Sequence, residues 1–207
     1  NEIWELYQDN EGNIWIGTND GLNKFNAVNQ EFTTYFMVEN DSNSLTDNCI
    51  WEIYLDSKNI LWIVTDNGLS RYNKETDSFT QYKNNPKDSC SLSFNTVFTI
   101  YEDKDNALWI GTVNGINLFD REKETFRCFQ KEYELVGNAI FGILEDDHNN
   151  LWLSTVNGLS KFSKETYTFR AYDIFDGLQN NDYSVGAYVR TQRGELVFGG
   201  VNGVTLF

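Results

Sequence analysis

The sequence predicts an all-β protein built from one four-stranded unit used repeatedly, and three observations carry that prediction. A tryptophan-bearing segment recurs as "GNIWIGTNDGLNKFN" (Gly12–Asn26), "NILWIVTDNGLSRYN" (Asn59–Asn73), "NALWIGTVNGINLFD" (Asn106–Asp120) and "NNLWLSTVNGLSKFS" (Asn149–Ser163), with a worn copy "GELVFGGVNGVTLF" (Gly194–Phe207). Aligned on Asn1, Asn48, Asn95, Asn138 and Asn181, the units are spaced by 47, 47, 43 and 43 residues. No segment shows helical periodicity, whereas each unit holds short runs rich in Ile, Val, Thr, Trp, Tyr and Phe, residues that fit a pleated surface. A fixed period of this length signals stacked supersecondary units.

Each run has a reason to be a strand. In the second unit the runs are "CIWEIYLD" (Cys49–Asp56), "LWIVT" (Leu61–Thr65), "GLSRYN" (Gly68–Asn73) and "SFTQYK" (Ser78–Lys83). The first run is apolar on both faces, through Ile50, Trp51 and Ile53 and again Val97, Phe98 and Ile100, so it must lie deep. The turn after it opens on Asp9, Asp56, Asp103 or Asp146, side chains that bond their own main chain in tight turns. The second run carries Trp15, Trp62, Trp109 and Trp152, whose rings are expected to fill the wedge between neighbouring sheets. Two places on, Gly17, Gly111 and Ser154 allow close approach, and Val64 departs from that pattern. The next turn, "TNDG", "TDNG" or "TVNG", ends on Gly21, Gly68, Gly115 or Gly158, with Gly203 in the worn copy; its Asn-Gly or Asp-Gly pair predicts a type I′ hairpin. Each unit is therefore a four-stranded antiparallel meander. Covering both faces of such sheets calls for radial stacking with the first strand innermost, a β-propeller; an open solenoid ranks second. The chain reads as a single propeller segment, 1–207, with repeats near 1–47, 48–94, 95–137, 138–180 and 181–207, the last of them three-stranded and incomplete.

Composition narrows the function. Of 207 residues, 40% are hydrophobic and 15% aromatic, ample for a core. A net charge of −15 repels phosphate backbones and anionic membranes, so no nucleic-acid partner is expected. No apolar run reaches the roughly 18–20 residues of a spanning helix. Any membrane attachment would come through segments outside this chain. Asn1 is not a natural start, so a leader or anchor is expected to have been removed. Cys49, Cys90 and Cys128 are far apart and odd in number, which fits neither a disulfide framework nor a zinc site.

Catalytic chemistry finds little footing. His148, the only histidine, sits in the turn "EDDHNN" and should be solvated, so no triad is built around it. "DKDNALWIGTVN" (Asp103–Asn114) begins like a calcium loop but lacks the Gly at its sixth place and the Glu at its twelfth, and an Asx turn is expected instead. No phosphate-binding glycine pattern is present. No catalytic residue, metal or cofactor is predicted.

Recognition is the remaining possibility. The links between units and the second turns emerge at one end of the blades. They gather Val38–Asn48, Asn84–Asn95, Lys131–Asn138 and Asp173–Asp182, together with Asn19, Asp20, Asp66, Asn67, Asn114 and Asn157. With Tyr133 and Phe175 nearby, these amides and carboxylates suit sugar hydroxyls; the plainer reading is solvated connectors. The unit-opening asparagines are expected to hold strand entries rather than a ligand.

The pattern D-x-x-G-x-[IL]-W-I-G-T-x-x-G-[IL]-x-x-[FY] resembles the two-component regulator propeller repeat, and the resemblance covers the whole chain. The ending "DGLQNNDYSVGAYVRTQRGELVFGGVNGVTLF" (Asp176–Phe207) is similar to the last repeat of such propellers. The resemblance implies an extracytoplasmic, periplasmic sensor region of a hybrid two-component system of gut Bacteroidetes such as Bacteroides. It also implies a larger, seven-bladed parent propeller of which this chain is a fragment. The expected role is non-catalytic: sensing a glycan or oligosaccharide and relaying the signal through a dimeric receptor to a histidine kinase. The alternatives are a protein-interaction or dimerisation scaffold with no small ligand and, further off, a propeller hydrolase or lyase acting on polysaccharides. Uncovered blade faces would favour a homodimer or other self-association.

Overall fold

The computed structural model describes residues 2–129 and 138–207. Blade one comprises β1 (Ile3–Gln8), β2 (Ile14–Thr18), β3 (Gly21–Asn26) and β4 (Glu31–Tyr35). Blade two comprises β5 (Ile50–Leu55), β6 (Leu61–Thr65), β7 (Gly68–Asn73) and β8 (Ser78–Tyr82). Blade three holds β9 (Val97–Glu102), β10 (Leu108–Thr112), β11 (Gly115–Asp120) and β12 (Thr125–Phe129). Blade four holds β13 (Ile140–Glu145), β14 (Asn150–Thr155), β15 (Gly158–Ser163) and β16 (Phe169–Tyr172). Blade five has three strands, β17 (Tyr183–Arg190), β18 (Leu196–Gly200) and β19 (Gly203–Leu206). Within each sheet, sequence neighbours are spatial neighbours, so every blade is a meander and the fold class is the all-β propeller. Apart from a short 3-10 turn at Ile174–Asp176, the described residues contain no helix.

The chain divides into two compact units, Asn1–Val97 and Phe98–Phe207. In the first, Trp15, Leu22, Leu45, Ile50, Ile53 and Ile63 pack as one core between blades one and two. The Trp15 ring meets Tyr72 of blade two edge-on at 4.9 Å, so the wedge-filling role expected of the tryptophans holds here. In the second unit Trp109 meets Phe162 of blade four at 5.5 Å, and Trp152 meets Phe207 at 4.5 Å. The small residue after the tryptophan is needed for this packing. A Cβ on Gly17 would come within 2.8 Å of Ile50, and one on Gly111 within 2.6 Å of Thr99 and 2.8 Å of Ile140. Where Val64 replaces the glycine, the next repeat carries Val97 in place of the isoleucine found at Ile50 and Ile140, which is smaller by one methylene.

Three of the first strands carry a bulge. The register of β1 against β2 shifts between Ile3 and Glu5, that of β5 against β6 between Ile50 and Glu52, and that of β13 against β14 between Ile140 and Gly142. The extra residue is aromatic each time, Trp4, Trp51 and Phe141; Trp4 and Trp51 contact each other at 5.4 Å. An added residue of this kind bends a strand and re-aims its side chain.

One turn differs from expectation. Positive φ in the second hairpins falls on glycine alone (102° at Gly21, 131° at Gly68, 99° at Gly115, 114° at Gly158), and the two loop residues before it keep negative φ. The turn is therefore not type I′. The preceding threonine decides this. Thr18 Oγ1 donates to the Gly21 carbonyl at 2.9 Å and accepts from Asp20 N at 3.0 Å, and Thr65, Thr112 and Thr155 repeat the pair of bonds. Such local side-chain bonds offer the backbone its own geometry. The glycine is obligatory besides: a Cβ on Gly21 would lie 2.8 Å from the Tyr35 carbonyl oxygen.

Candidate functional site

The link end of the blades is built around the unit-opening asparagines. The Asn48 carbonyl accepts from Gly21 N at 2.8 Å, while its side-chain oxygen accepts from Met37 N at 2.7 Å. Asn181 does the same for Gly158 N (2.8 Å) and Ile174 N (3.0 Å), and Asn95 Oδ1 takes Asn84 N at 2.6 Å. One residue thus ties the preceding hairpin to the start of the link. Leu45 and Leu92 bury themselves completely from the middle of their links. Ser44 Oγ accepts from Val38 N at 3.0 Å, and Gln81 Nε2 donates to the Ser44 and Leu45 carbonyls at 2.9 and 3.1 Å. Buried Thr46 is held by the Thr65 and Ser70 hydroxyls at 2.8 and 2.9 Å. The first two links are therefore anchored loops on a rigid scaffold, the usual platform for recognition, whereas residues 131–137 of the third lie outside the described residues.

On this platform the sequence-predicted residues fare differently. Asn19 Oδ1 accepts from Glu2 N at 3.3 Å, and Asn114 Oδ1 from Asn138 Nδ2 at 3.4 Å, so both brace the scaffold. The side chains of Asp20, Asp66 and Asn157 are exposed and that of Asn67 is partly so; none has a hydrogen-bond partner among the described residues. Phe175 is 92% exposed on the 3-10 turn. That turn is capped reciprocally: Asp173 accepts from Phe175 N at 2.8 Å and Asp176 accepts from Asp173 N at 3.1 Å. Tyr133 lies outside the described residues. Among the described candidates no side-chain bond joins one to another. Beside the first link a shallow groove runs past Met37, Val38, Asn40, Gln81 and Lys83. Met37 and Lys83 escaped the sequence reading, which had no reason to separate them from ordinary strand-end residues.

The opposite end carries the β1–β2 and β3–β4 turns, and here each unit has a distinct arrangement. In the first unit a cleft of about 290 Å³ opens between blades one and two, over Trp15, Leu55, Leu61 and Tyr72. Tyr35 and Tyr72 donate their hydroxyls to the same oxygen of Asp77, at 2.7 and 2.6 Å. Burial and the Asp77 bond push the Tyr72 hydroxyl up to about 12. Lys24 Nζ lies 5.0 Å from the Trp15 ring centre and 5.7 Å from that of Tyr72, in cation–π range. Nothing in the repeat pattern marked Lys24, since its counterparts are Arg71, Leu118 and Lys161.

In the second unit a nearly buried lysine occupies the equivalent place. The Lys164 ammonium bonds Asp103 Oδ2 at 2.8 Å, Asp105 Oδ2 at 3.2 Å and Glu145 Oε1 at 2.6 Å. Those three carboxylates are grouped closely enough to hold a cation, and Lys164 supplies that charge. Burial alone would lower the lysine, but the bonds to Asp103 and Glu145 outweigh it and hold it above its ordinary range. His148 is exposed, as its turn implied.

Comparison with known proteins follows this repeat anatomy. The family model described as two component regulator propeller matches residues 1–20, 44–67, 91–114 and 134–157. No curated protein sequence matches the chain. Among solved structures, the extracellular domain described as that of a hybrid two component system from B. thetaiotaomicron is 30% identical, with a TM-score of 0.88. The match covers 100% of this chain and 28% of that one, so the chain spans little over a quarter of its relative. A second extracellular domain from B. thetaiotaomicron, described as that of a one component system, shares the fold at 23% identity and TM-score 0.84, over 100% of this chain and 29% of that chain. Virginiamycin B lyase from Staphylococcus aureus shares the fold alone, at 13% identity and TM-score 0.68, over 99% of this chain and 69% of that chain.

Proposed function

We propose that this chain, in which four blades match the two component regulator propeller model over their opening strands, is a ligand-sensing segment within the periplasmic sensor domain of a hybrid two-component system. The ligand would be a glycan or oligosaccharide met at the link end, and the signal would pass through a dimeric receptor to a histidine kinase. This reading assigns no catalytic step to the chain. The observations that support it are, in the first unit, Asp20, Asp66 and Asn67 and, in the second, Asn157 and the displayed Phe175: among the described residues the four polar side chains have no hydrogen-bond partner. Amide and carboxylate groups beside an aromatic ring suit a hydroxylated ligand. A glycan array probed with this chain and with the longer sensor region tests it. Binding by both supports the link end, binding by the longer protein alone moves the ligand elsewhere, and binding by neither removes the proposal.

A second reading, a protein-contact surface, has its own observation. Ile3, Leu6 and Phe32 of blade one are exposed, whereas Ile50, Ile53 and Phe79 at the same positions of blade two are buried against blade one. Val189, Val204 and Leu206 are exposed on blade five. Such faces fit either a further blade of a longer propeller or a second copy of this chain. Light scattering over a concentration series tests the second copy: a monomer near 24.0 kDa at every concentration would remove it.

A further inference from the structure

We propose that the cleft between blades one and two, at the end away from the links, binds a small organic carboxylate with a ring-shaped body, and that Lys24 is its charge partner.

The repeat supplies an internal comparison. Between blades three and four the same wedge is filled by Lys164, drawn in by fully buried Glu145. Blade two carries Leu55 where blade four carries Glu145, and Lys74 where it carries Lys164. Without a buried carboxylate to reach, Lys74 pairs instead with exposed Glu11, and the wedge stays open. The cleft thus follows from one exchange, Glu for Leu, at the end of a first strand.

The charges in and beside it are not equally committed. Asp9 accepts from Glu11 N, Asn13 N, Asn13 Nδ2 and Trp15 Nε1. Asp77 accepts from two tyrosine hydroxyls, and these bonds outdo burial to hold its carboxyl below the usual range, with help from the field of Lys24. Glu11 has Lys74. Lys24 alone among these has no ion pair or hydrogen bond among the described residues. Lys161, at the same position of blade four, pairs with Asp146 at 3.4 Å. Lys24 is partly buried over two aromatic rings, so it attracts an anion more strongly than a solvated lysine would.

The floor decides the body of the ligand. Leu55, Leu61 and the Tyr72 ring leave apolar surface that an inorganic anion would not use. At the rim Asn10 Nδ2 donates to Asn59 Oδ1 at 2.7 Å, and the amide hydrogens of Asn59 have no partner among the described residues. A flat or chair-shaped ring bearing one carboxylate would meet floor, cation and amide together. With a net charge of −15, the protein surface repels anions in general, so binding here has to come from the site.

The test is a titration of the isotope-labelled chain by NMR, following the Trp15 indole N–H and the Lys24 side chain. The probes are glucuronate and benzoate, with acetate as charge without ring and glucose as ring without charge. Saturable shifts with the ring carboxylates are expected, at least about tenfold weaker with acetate or glucose (about 1.4 kcal/mol). Lys24→Met should abolish them, Lys24→Arg should retain them, and Lys161→Met should leave them unchanged. No saturable shift, equal response to glucose, or undiminished binding by a folded Lys24→Met variant would each overturn the proposal. Running Lys24→Met on the same glycan array keeps the two sites distinguishable: uronate binding at the cleft is lost, whereas binding at the link end is retained.

Discussion

Trp109 Nε1 donates to Asp103 Oδ2 at 2.8 Å, while Asp103 Oδ1 accepts from Asp105 N and Ala107 N, each at 2.9 Å. One carboxylate therefore shapes the first turn and satisfies the buried indole that fills the wedge. The same bond joins Trp15 to Asp9 (2.8 Å), Trp62 to Asp56 (2.9 Å) and Trp152 to Asp146 (3.0 Å). Spacing of six residues between Asp and Trp is thus the physical unit of the repeat. The turn residue and the wedge residue were each legible in sequence; the bond that couples them was not.

Removing that carboxylate strands several donors at once. Asp56 is buried and accepts from Lys58 N, Ile60 N and Trp62 Nε1. Asp56→Ala should cost about 2–4 kcal/mol, since a bond to a charged group contributes about 1.5–3 kcal/mol and the indole N–H remains buried. Asp56→Asn keeps the acceptor for part of this network and should cost less. Urea unfolding midpoints measure both, and equal stability of Asp56→Ala and the parent would show that the bond is incidental.

Lys164 and Glu145 are a buried pair, with side chains 13% and 0% exposed. Lys164→Met should destabilise by roughly 3–5 kcal/mol, because Glu145 would then hold an uncompensated charge. The double variant Lys164→Met/Glu145→Leu, which borrows the Leu55 solution of blade two, should regain most of that loss. Because Lys164 is held above its ordinary range when folded, its contribution is complete below about pH 10.4 and is lost as pH rises through the folded value. Alkaline melts of the parent and the double variant should converge accordingly.

Acid acts through the turn aspartates. Burial alone would raise the Asp146 carboxyl, but bonds from Asn150, Trp152 and His148 N bring it down to about 2. A depressed carboxyl contributes stability above its unfolded value, near 4, and loses it as pH falls toward 2. Asp146 should account for about 2 kcal/mol of the difference between pH 6 and pH 2. Asp146→Asn should flatten that part of the stability–pH curve; an unchanged slope would remove Asp146 from the account.

The strand order, the blade boundaries and the wedge tryptophans were readable because each depends on periodicity and residue type. The second hairpin was misread because Asn-Gly alone suggests a I′ turn, whereas the threonine two residues earlier fixes a different geometry through Oγ1. The cleft escaped because it depends on a difference between repeats, Leu55 against Glu145, and the alignment rewarded likeness. Asp20 and Asn157 could be placed at the link end by topology, but only the folded structure shows that their side chains have no hydrogen-bond partner among the described residues while those of Asn19 and Asn114 do. Leu45 and Leu92, the plugs of the links, looked like connector residues because no strand pattern surrounds them.

Phe175 and Asn181 separate display from support at the link end. Phe175 is 92% exposed and no ring contact holds it among the described residues, so Phe175→Ala should change stability by less than about 0.5 kcal/mol. Asn181 instead fixes both Ile174 N and Gly158 N, the latter through its carbonyl. Asn181→Ala removes only the side-chain bond, so the hairpin should stay closed while the Ile174 amide exchanges faster with solvent. If this turn presents Phe175 to a ligand, both variants should weaken binding on a glycan array, the first by losing the ring and the second by loosening its mount. Hydrogen exchange at Ile174 checks the mount independently of any ligand. A protected Ile174 amide in Asn181→Ala would show that the Asp173–Asp176 cap alone holds the turn.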